Sequence, residues 1–407
     1  MQSFNLRNWL KLTLFSLVAV GILGTLMRYK ICYEFPFIDQ KHTQHAHSHF
    51  AFAGWVTQTL MVFITAFLIN NNFKINIKHY QTILIINILV AYGMLVSFMI
   101  QGYGAISIIL STTSIFITFV FAFKFWVDTK GATTQLLAIK WFKAGTVFLV
   151  ISSLGTFMLA YMMMSKHMEQ HTYLASVYWY LHFQYNGWFF FACMGLLFSE
   201  IKLLDIHTKA MNNVFWLFAI SCVPAYMLST LWAKLPMWLF VNTILASITQ
   251  TYAWAKFLIT FKTYLKQLVD KTGKQIGYLF IILALALSIK FLLQLGSTVP
   301  AISQWAFGFR SVVIAYLHLI LLGIISLFLI VFMHVKGLLN TKNGVLATFL
   351  FTLTVYANEL ILGVQGVTSL FYYLIPYSQE ALFYVSVAIV LSVLFLVQSI
   401  SASKDNT

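Results

Sequence analysis

Three histidines stand in the same local pattern of residues. His49, His182 and His318 are each followed five positions later by glycine, in the segments HFAFAG, HFQYNG and HLILLG. Each pattern opens a long apolar run, and an imidazole surrounded by hydrocarbon is costly unless a partner binds it. Imidazole is also the commonest metal ligand among side chains. The repeated pattern therefore predicts a bound metal ion or haem.

The composition places these histidines in a membrane protein. Hydrophobic residues make up 60% of the 407 positions and charged residues only 9%. A helix needs about 20 apolar residues to span the hydrocarbon of a bilayer. We predict an all-α, polytopic bundle of about twelve transmembrane helices that forms a single domain over residues 1–407. The predicted helices cover 9–27, 48–70, 81–101, 104–126, 142–164, 177–198, 213–232, 237–260, 276–296, 310–334, 344–364 and 381–402.

The positive charge fits a defined orientation in the membrane. With both termini in the cytoplasm, 18 of the 25 Lys and Arg residues fall on the cytoplasmic side and seven outside. This asymmetry follows the positive-inside rule. We therefore predict a multi-pass protein of a bacterial inner (cytoplasmic) membrane, with the lipid bilayer as its surroundings. Basic residues do not cluster on one solvated face, so the net charge of +15 does not indicate a nucleic-acid partner.

This topology brings the three histidines to one side of the membrane. His49 opens the second predicted helix, His182 lies near the start of the sixth, and His318 lies about eight residues into the tenth. Even-numbered helices run from outside to inside, so all three fall in the outer half. The glycine at each fifth position has two interpretations. It either lets helices pack closely, or leaves room for a flat ligand beside the imidazole.

The chain resembles the catalytic subunit of the haem–copper oxidase superfamily, most closely nitric oxide reductases and C-type oxidases. Residues 316–323, YLHLILLG, are similar to the family's H-G-H-L-A-L-F-G pattern on helix 10. Residues 181–187, LHFQYNG, are similar to its V-H-L-W-V-E-G pattern on helix 6. The resemblance implies a low-spin, bis-histidine haem b held by His49 and His318. It also implies an electron donor, a cytochrome c or a quinol, and further membrane subunits as partners.

The departures from the family pattern concern its catalytic centre. Tyr316 stands where the family has the histidine of the high-spin haem, and the seventh helix has no histidine to hold copper with His182. Asn186 stands near the position of a glutamate in nitric oxide reductases. One histidine does not hold copper or non-haem iron without further ligands. The sequence therefore predicts a degenerate binuclear centre, with His182 and Tyr316 as remaining candidates for chemistry.

Several residues leave the haem assignment open. The segment HAHSH offers three ligands, of which we favour His49 with His47 as runner-up; His45 and, before it, His42 are interpreted as loop residues. Arg28 and Arg310 lie at the outer ends of the first and tenth helices. Guanidinium groups pair with carboxylates in a bidentate way, which would suit haem propionates. Their alternative role is interfacial snorkelling.

Two ionisable residues lie inside apolar runs. Glu359 falls near the middle of the eleventh helix and Lys290 about two turns from the outer end of the ninth. Ionisable groups within a membrane are functional candidates by default. The leading hypothesis is a membrane haem protein for respiratory electron transfer or for gas or redox sensing. The alternatives are an active oxidase or nitric oxide reductase, with Glu359 as a further catalytic candidate, and a proton-coupled transporter that uses Glu359 and Lys290.

Overall fold

The computed structural model describes residues 4–400, and this part of the chain is helical without a β-strand. Its shorter helices are Leu265–Thr272 and Pro300–Gly308. Its long helices are Leu6–Cys32, Gln40–Asn70, Ile77–Gln101, Ala105–Asp128, Leu136–Ser165, residues 170–199, Asp205–Cys222, Met237–Phe261, Lys274–Gly296, Arg310–Val335, Lys342–Phe371 and Ser378–Ser399. Within residues 4–400 the twelve predicted runs fall mainly on helical chain, although 213–232 includes the 3-10 turn Pro224–Thr230. Residues 401 and 402 of the last predicted run lie outside the described residues.

Apolar helices of sufficient length are numerous enough to make this a multi-pass membrane protein. Within residues 4–400, nine helices are long and apolar enough to cross a membrane. A tenth crossing results if the bent pair Asp205–Cys222 and Pro224–Thr230 is one span. Two further predicted runs, 177–198 and 237–260, are helical but carry more polar residues. The all-α, polytopic class is therefore established, whereas twelve crossings stay a prediction.

The described chain divides into two compact units. The first contains the residues up to Gly131 together with those from Ser326 onward, and the second is Ala132–Ile325. In the first unit, Ser378–Ser399 packs against both Leu6–Cys32 and the helix that begins at Lys342. In the second unit, Leu136–Ser165 packs along residues 170–199.

The structure has helix in two segments that the predicted runs leave between helices, before residue 48 and before residue 310. His42, His45 and His47 are helical, because the helix that carries His49 begins at Gln40 and not near residue 48. Its N-cap is Asp39, whose carboxylate accepts a hydrogen bond of 2.8 Å from the backbone N–H of His42. The second segment, around 296–308, contains the helix Pro300–Gly308. Proline is well suited to the first turn of a helix, because the N–H it lacks would have no partner there.

Asp39 is expected to control the first turn of the histidine-rich helix. The hydrogen bond from His42 holds the pKa of the Asp39 carboxyl below its ordinary value. The stabilisation is therefore present above the ordinary pKa of about 4 and is lost as the pH falls through the folded-state value. Asp39→Ala should lower the midpoint of thermal unfolding at pH 7, and Asp39→Asn, which keeps the cap acceptor, should not. Equal midpoints for both variants would contradict this role.

Candidate functional site

All three histidine motifs run directly into π-helix. The π-helical segments are Ala51–Thr57, Phe183–Phe189 and residues 319–326, and residues 4–400 contain no other. Each segment contains the glycine of its motif. π-helical turns are rare and occur frequently at functional sites. The repeated pattern in the sequence therefore corresponds to a repeated local structure, which the sequence did not predict.

The histidine-rich helix presents three of its histidines to one neighbouring segment. His49 stacks on Phe98 with ring centres 4.3 Å apart, and its Nε2 lies 3.0 Å from the hydroxyl of Tyr103. The ring centre of His45 lies 4.5 Å from that of Tyr103. His42 lies so close to Gly102 that a Cβ atom on Gly102 would lie 2.6 Å from the His42 ring. These residues therefore form an aromatic contact between the helix Gln40–Asn70 and residues 98–103.

His47 faces another way, towards the helix Leu6–Cys32. Its Nδ1 lies 3.0 Å from the backbone carbonyl oxygen of Val20. A Cβ on Gly24 would lie 3.3 Å from Cε1 of this imidazole, so a glycine at that position accommodates the ring. A carbonyl oxygen can only accept, so Nδ1 must carry the proton. The Nε2 of His47 is therefore the nitrogen with the lone pair.

His318 has the same tautomer, fixed by its own helix. Its Nδ1 lies 2.9 Å from the carbonyl oxygen of Ile314, which again requires the proton on Nδ1. Tyr316, at the position where the family resemblance places a haem ligand, has its ring 6.5 Å from that of Tyr185 in an edge-on arrangement. Tyr185 lies on the helix that also carries His182. Tyr316 and the His182 helix are thus neighbours within the second unit.

His182 is fully buried and uses both ring nitrogens for bonds to the protein. Its Nε2 donates to the carbonyl oxygen of Cys222 over 2.8 Å, and its Nδ1 accepts from the side-chain amide of Asn186 over 3.1 Å. The first bond ties residues 170–199 to the end of the helix Asp205–Cys222. An imidazole with both nitrogens engaged has no lone pair for a metal ion. The geometry therefore describes His182 as a link between two helices.

Lys290 adds a positive group beside this link. Its side chain is 5% exposed, and the ammonium lies 4.1 Å from the ring centre of Phe291. It is close enough to Cys222 and His182 to interact with both electrostatically. In the described part of the chain, no carboxylate forms an ion pair with Lys290. The carboxamide oxygen of Asn186 is also buried and has no hydrogen-bond partner among the described residues.

Arg28 and Glu359 lie within electrostatic range of each other in the first unit. The guanidinium of Arg28 donates to the side-chain oxygen of Gln379 over 3.5 Å, and the amide of Asn358 donates to Glu359 over 3.1 Å. Glu359 belongs to the first unit and Lys290 to the second. Arg310 is exposed at the first position of its helix.

Haem and copper differ in the number of ligands that they need from the protein. No group of three or more His, Cys, Asp or Glu residues suited to a metal ion occurs within residues 4–400. Haem iron needs only two axial protein ligands, and His47 and His318 each have a tautomer that leaves the lone pair on Nε2.

Two of the motif glycines serve packing. Gly187 lies where a Cβ would meet Phe148 at 2.5 Å, and a Cβ on Gly54 would meet Phe50 at 2.5 Å.

No protein-family model matches the chain, and no curated protein matches it either. The resemblance to the haem–copper oxidases therefore rests on the short motifs around His182 and His318.

The sequence analysis missed several residues of these sites. Tyr103 was visible only as part of a short turn, Gly102-Tyr103-Gly104, and Cys222 only as an isolated thiol. The backbone carbonyls of Val20, Cys222 and Ile314 carry no sequence signal at all. A bond from a side chain to a backbone atom depends on which helices are adjacent, and periodicity does not show that.

We expect His182→Ala to destabilise the protein through its two lost hydrogen bonds. The variant leaves the Cys222 carbonyl and the Asn186 amide without their partner, at a cost of about 2 kcal/mol. Thermal unfolding of the purified protein in detergent would measure this loss. The exposed His167→Ala is a matched control and should unfold at the temperature of the unchanged protein. An unchanged midpoint for His182→Ala would contradict its role as a link.

Lys290 should behave in the opposite way. Replacing a buried ammonium that has no carboxylate partner by an apolar side chain of similar length removes a desolvation cost. Lys290→Met should therefore unfold at the same or a higher temperature than the unchanged protein. Lys266→Met, at an exposed position, controls for the loss of one charge. A clear fall in the midpoint for Lys290→Met alone would show that the ammonium stabilises the fold.

Proposed function

We propose that the chain is a membrane haem b protein that transfers electrons or senses a gas or redox state. Its haem iron is low-spin and is ligated by His318 and by one histidine of residues 45–49. The observation that carries the proposal is the contact of the Nδ1 atoms of His47 and His318 with backbone carbonyl oxygens. In both, a backbone carbonyl holds the proton on Nδ1. Metal-ligating histidines typically donate one ring N–H to such an acceptor, which orients the other nitrogen toward the metal.

The helix Gln40–Asn70 contacts the chain from Ser326 onward within the first unit. The indole N–H of Trp55 donates to the hydroxyl of Ser326 over 2.8 Å. Further along, the rings of Phe63 and Phe332 lie 4.9 Å apart. The residue numbers of these two contacts increase together along both segments, so the two segments run in the same direction.

The structure favours His47 over His49 as the ligand of the second predicted helix. The Nε2 of His49 lies 3.0 Å from the Tyr103 hydroxyl, and ligation through this atom would break that contact. In His47 the carbonyl of Val20 contacts Nδ1, the same ring nitrogen that His318 directs to the carbonyl of Ile314. We therefore reverse the order of the two candidates given by the sequence, and keep His49 as the alternative.

The other residues of the chain bind and orient the haem. Bound haem supplies a one-electron couple, which serves transfer from a cytochrome c or a quinol as well as sensing. Arg28 and Arg310 would pair with the propionates, and Arg28 is already held by Gln379. Trp55 is buried, and its bond to Ser326 helps to fix the position of the histidine-rich helix. The proposal also includes further membrane subunits as partners and a bacterial inner membrane as the location of the protein.

The proposal does not include a copper or non-haem iron centre. His182 donates and accepts with both nitrogens, so oxidase or nitric oxide reductase activity would require ligands from other residues. A proton-coupled transporter with Glu359 and Lys290 is the remaining alternative, because both side chains lie in apolar surroundings. A transporter without haem would be colourless, and a haem protein would not.

The test is a reduced-minus-oxidised spectrum of the purified protein with a metal analysis. We expect about one iron per chain, no stoichiometric copper and a low-spin α-band. His318→Ala and His47→Ala should each abolish the α-band. His49→Ala should retain it, and so should the exposed control His79→Ala.

A colourless preparation would contradict the haem, and an unchanged α-band in His318→Ala would contradict the ligand assignment. Loss of the band in His49→Ala together with its retention in His47→Ala would restore the original order of the candidates. Stoichiometric copper would contradict the absence of a second metal centre.

A further inference from the structure

The second unit contains a groove beside a bent helix. The helix Asp205–Cys222 turns by 46° into the segment Pro224–Thr230. Proline lacks the N–H that would continue the helix, so the bend falls at this position. A groove of about 510 Å³ lies between the helix Asp205–Cys222 and the helix Met237–Phe261, and it reaches Pro224 at the bend. One end of the groove therefore lies close to the break at which the Cys222 carbonyl accepts the bond of His182.

The two ends of the groove differ in chemistry. Its wall includes Ile220, Pro224 and Leu245, and one of its ends is lined by Asn213 and Lys256. Ile220 and Leu245 are 69% and 55% exposed, so apolar surface lines an open groove. The two ion pairs of the described residues, Lys124–Asp128 and Lys271–Glu200, do not include Lys256. A cation without a carboxylate partner thus stands at the end of an apolar groove.

A second cation lies close to the same end. Lys140 donates to the side-chain oxygen of Asn212, and its ammonium lies 5.7 Å from the ring centre of Trp216. Trp216 is half exposed and lines the groove. In the topology given by the positive-inside rule, Lys140 and Lys256 belong to the cytoplasmic side. Tryptophan and basic residues together are typical of the level of the lipid headgroups.

We propose that this groove binds one anionic phospholipid of the cytoplasmic leaflet. Its phosphate contacts the ammonium of Lys256 and the amide of Asn213, and an acyl chain lies along Ile220 and Leu245. The volume lies within the roughly 300–1,000 Å³ of small-ligand sites. A partner helix about 10 Å in diameter would fill it in little more than one turn. Cytoplasmic leaflets are rich in anionic lipid, which attracts basic residues at the membrane surface.

Native mass spectrometry of the full-length, delipidated protein tests the proposal. Dioleoyl phosphatidylglycerol added back should be retained as one bound lipid, and dioleoyl phosphatidylcholine should not. One basic residue near the surface contributes about 1 kcal/mol, so Lys256→Ala should lower the retention of phosphatidylglycerol about fivefold. Lys262→Ala, an exposed basic position on the same side, should leave it unchanged. Lys256→Arg should restore retention.

Fluorescence locates the lipid independently of its retention. Phosphatidylglycerol with brominated acyl chains should quench Trp216 in a saturable way, and Trp216→Phe should remove that component. Trp238→Phe, which changes an exposed tryptophan outside the groove lining, should keep it. Equal retention of both lipids, unaffected by Lys256→Ala, would overturn the proposal. So would a saturable quenching component that persists in Trp216→Phe.

Discussion

Polar side chains in a membrane-spanning helix have no water around them, so each needs a partner within the chain. His182 meets this requirement through Cys222 and Asn186, and Trp55 through Ser326. The bonds to Cys222 and to Ser326 each join a particular pair of helices at a particular level. The packing of the apolar surfaces alone would allow many registers, because hydrocarbon side chains interact with one another and with lipid in similar ways.

The π-helical segments affect where the polar side chains of a helix can find partners. A π-helical turn contains one residue more than an α-helical turn, so it shifts the side chains on either side of it around the helix axis. His182 and His318 directly precede such turns, and His49 is separated from one by Phe50. The large side chains Trp55 and Trp188 within two of the π-helical segments are buried.

The sequence predicted the class of fold because hydropathy is a local property. The helix runs follow from about 20 apolar residues at a time, and the outer position of His49, His182 and His318 follows from the charges between runs. The helix starts were harder to predict, since Asp39 as an N-cap moves about two turns of chain, with His42, His45 and His47, into the helix. The choice between His47 and His49 could not be made from sequence. It depends on the Val20 carbonyl, which belongs to another helix, and on the Tyr103 hydroxyl, which belongs to the turn between two further helices.

Electron paramagnetic resonance of the oxidised, purified protein tests the central claim most directly, because it reports the axial ligands of the iron themselves. The account predicts a ferric low-spin haem with two imidazole ligands, lost in His318→Ala and accompanied by no copper signal. A preparation with no haem signal, or a low-spin signal that survives in His318→Ala, would contradict it.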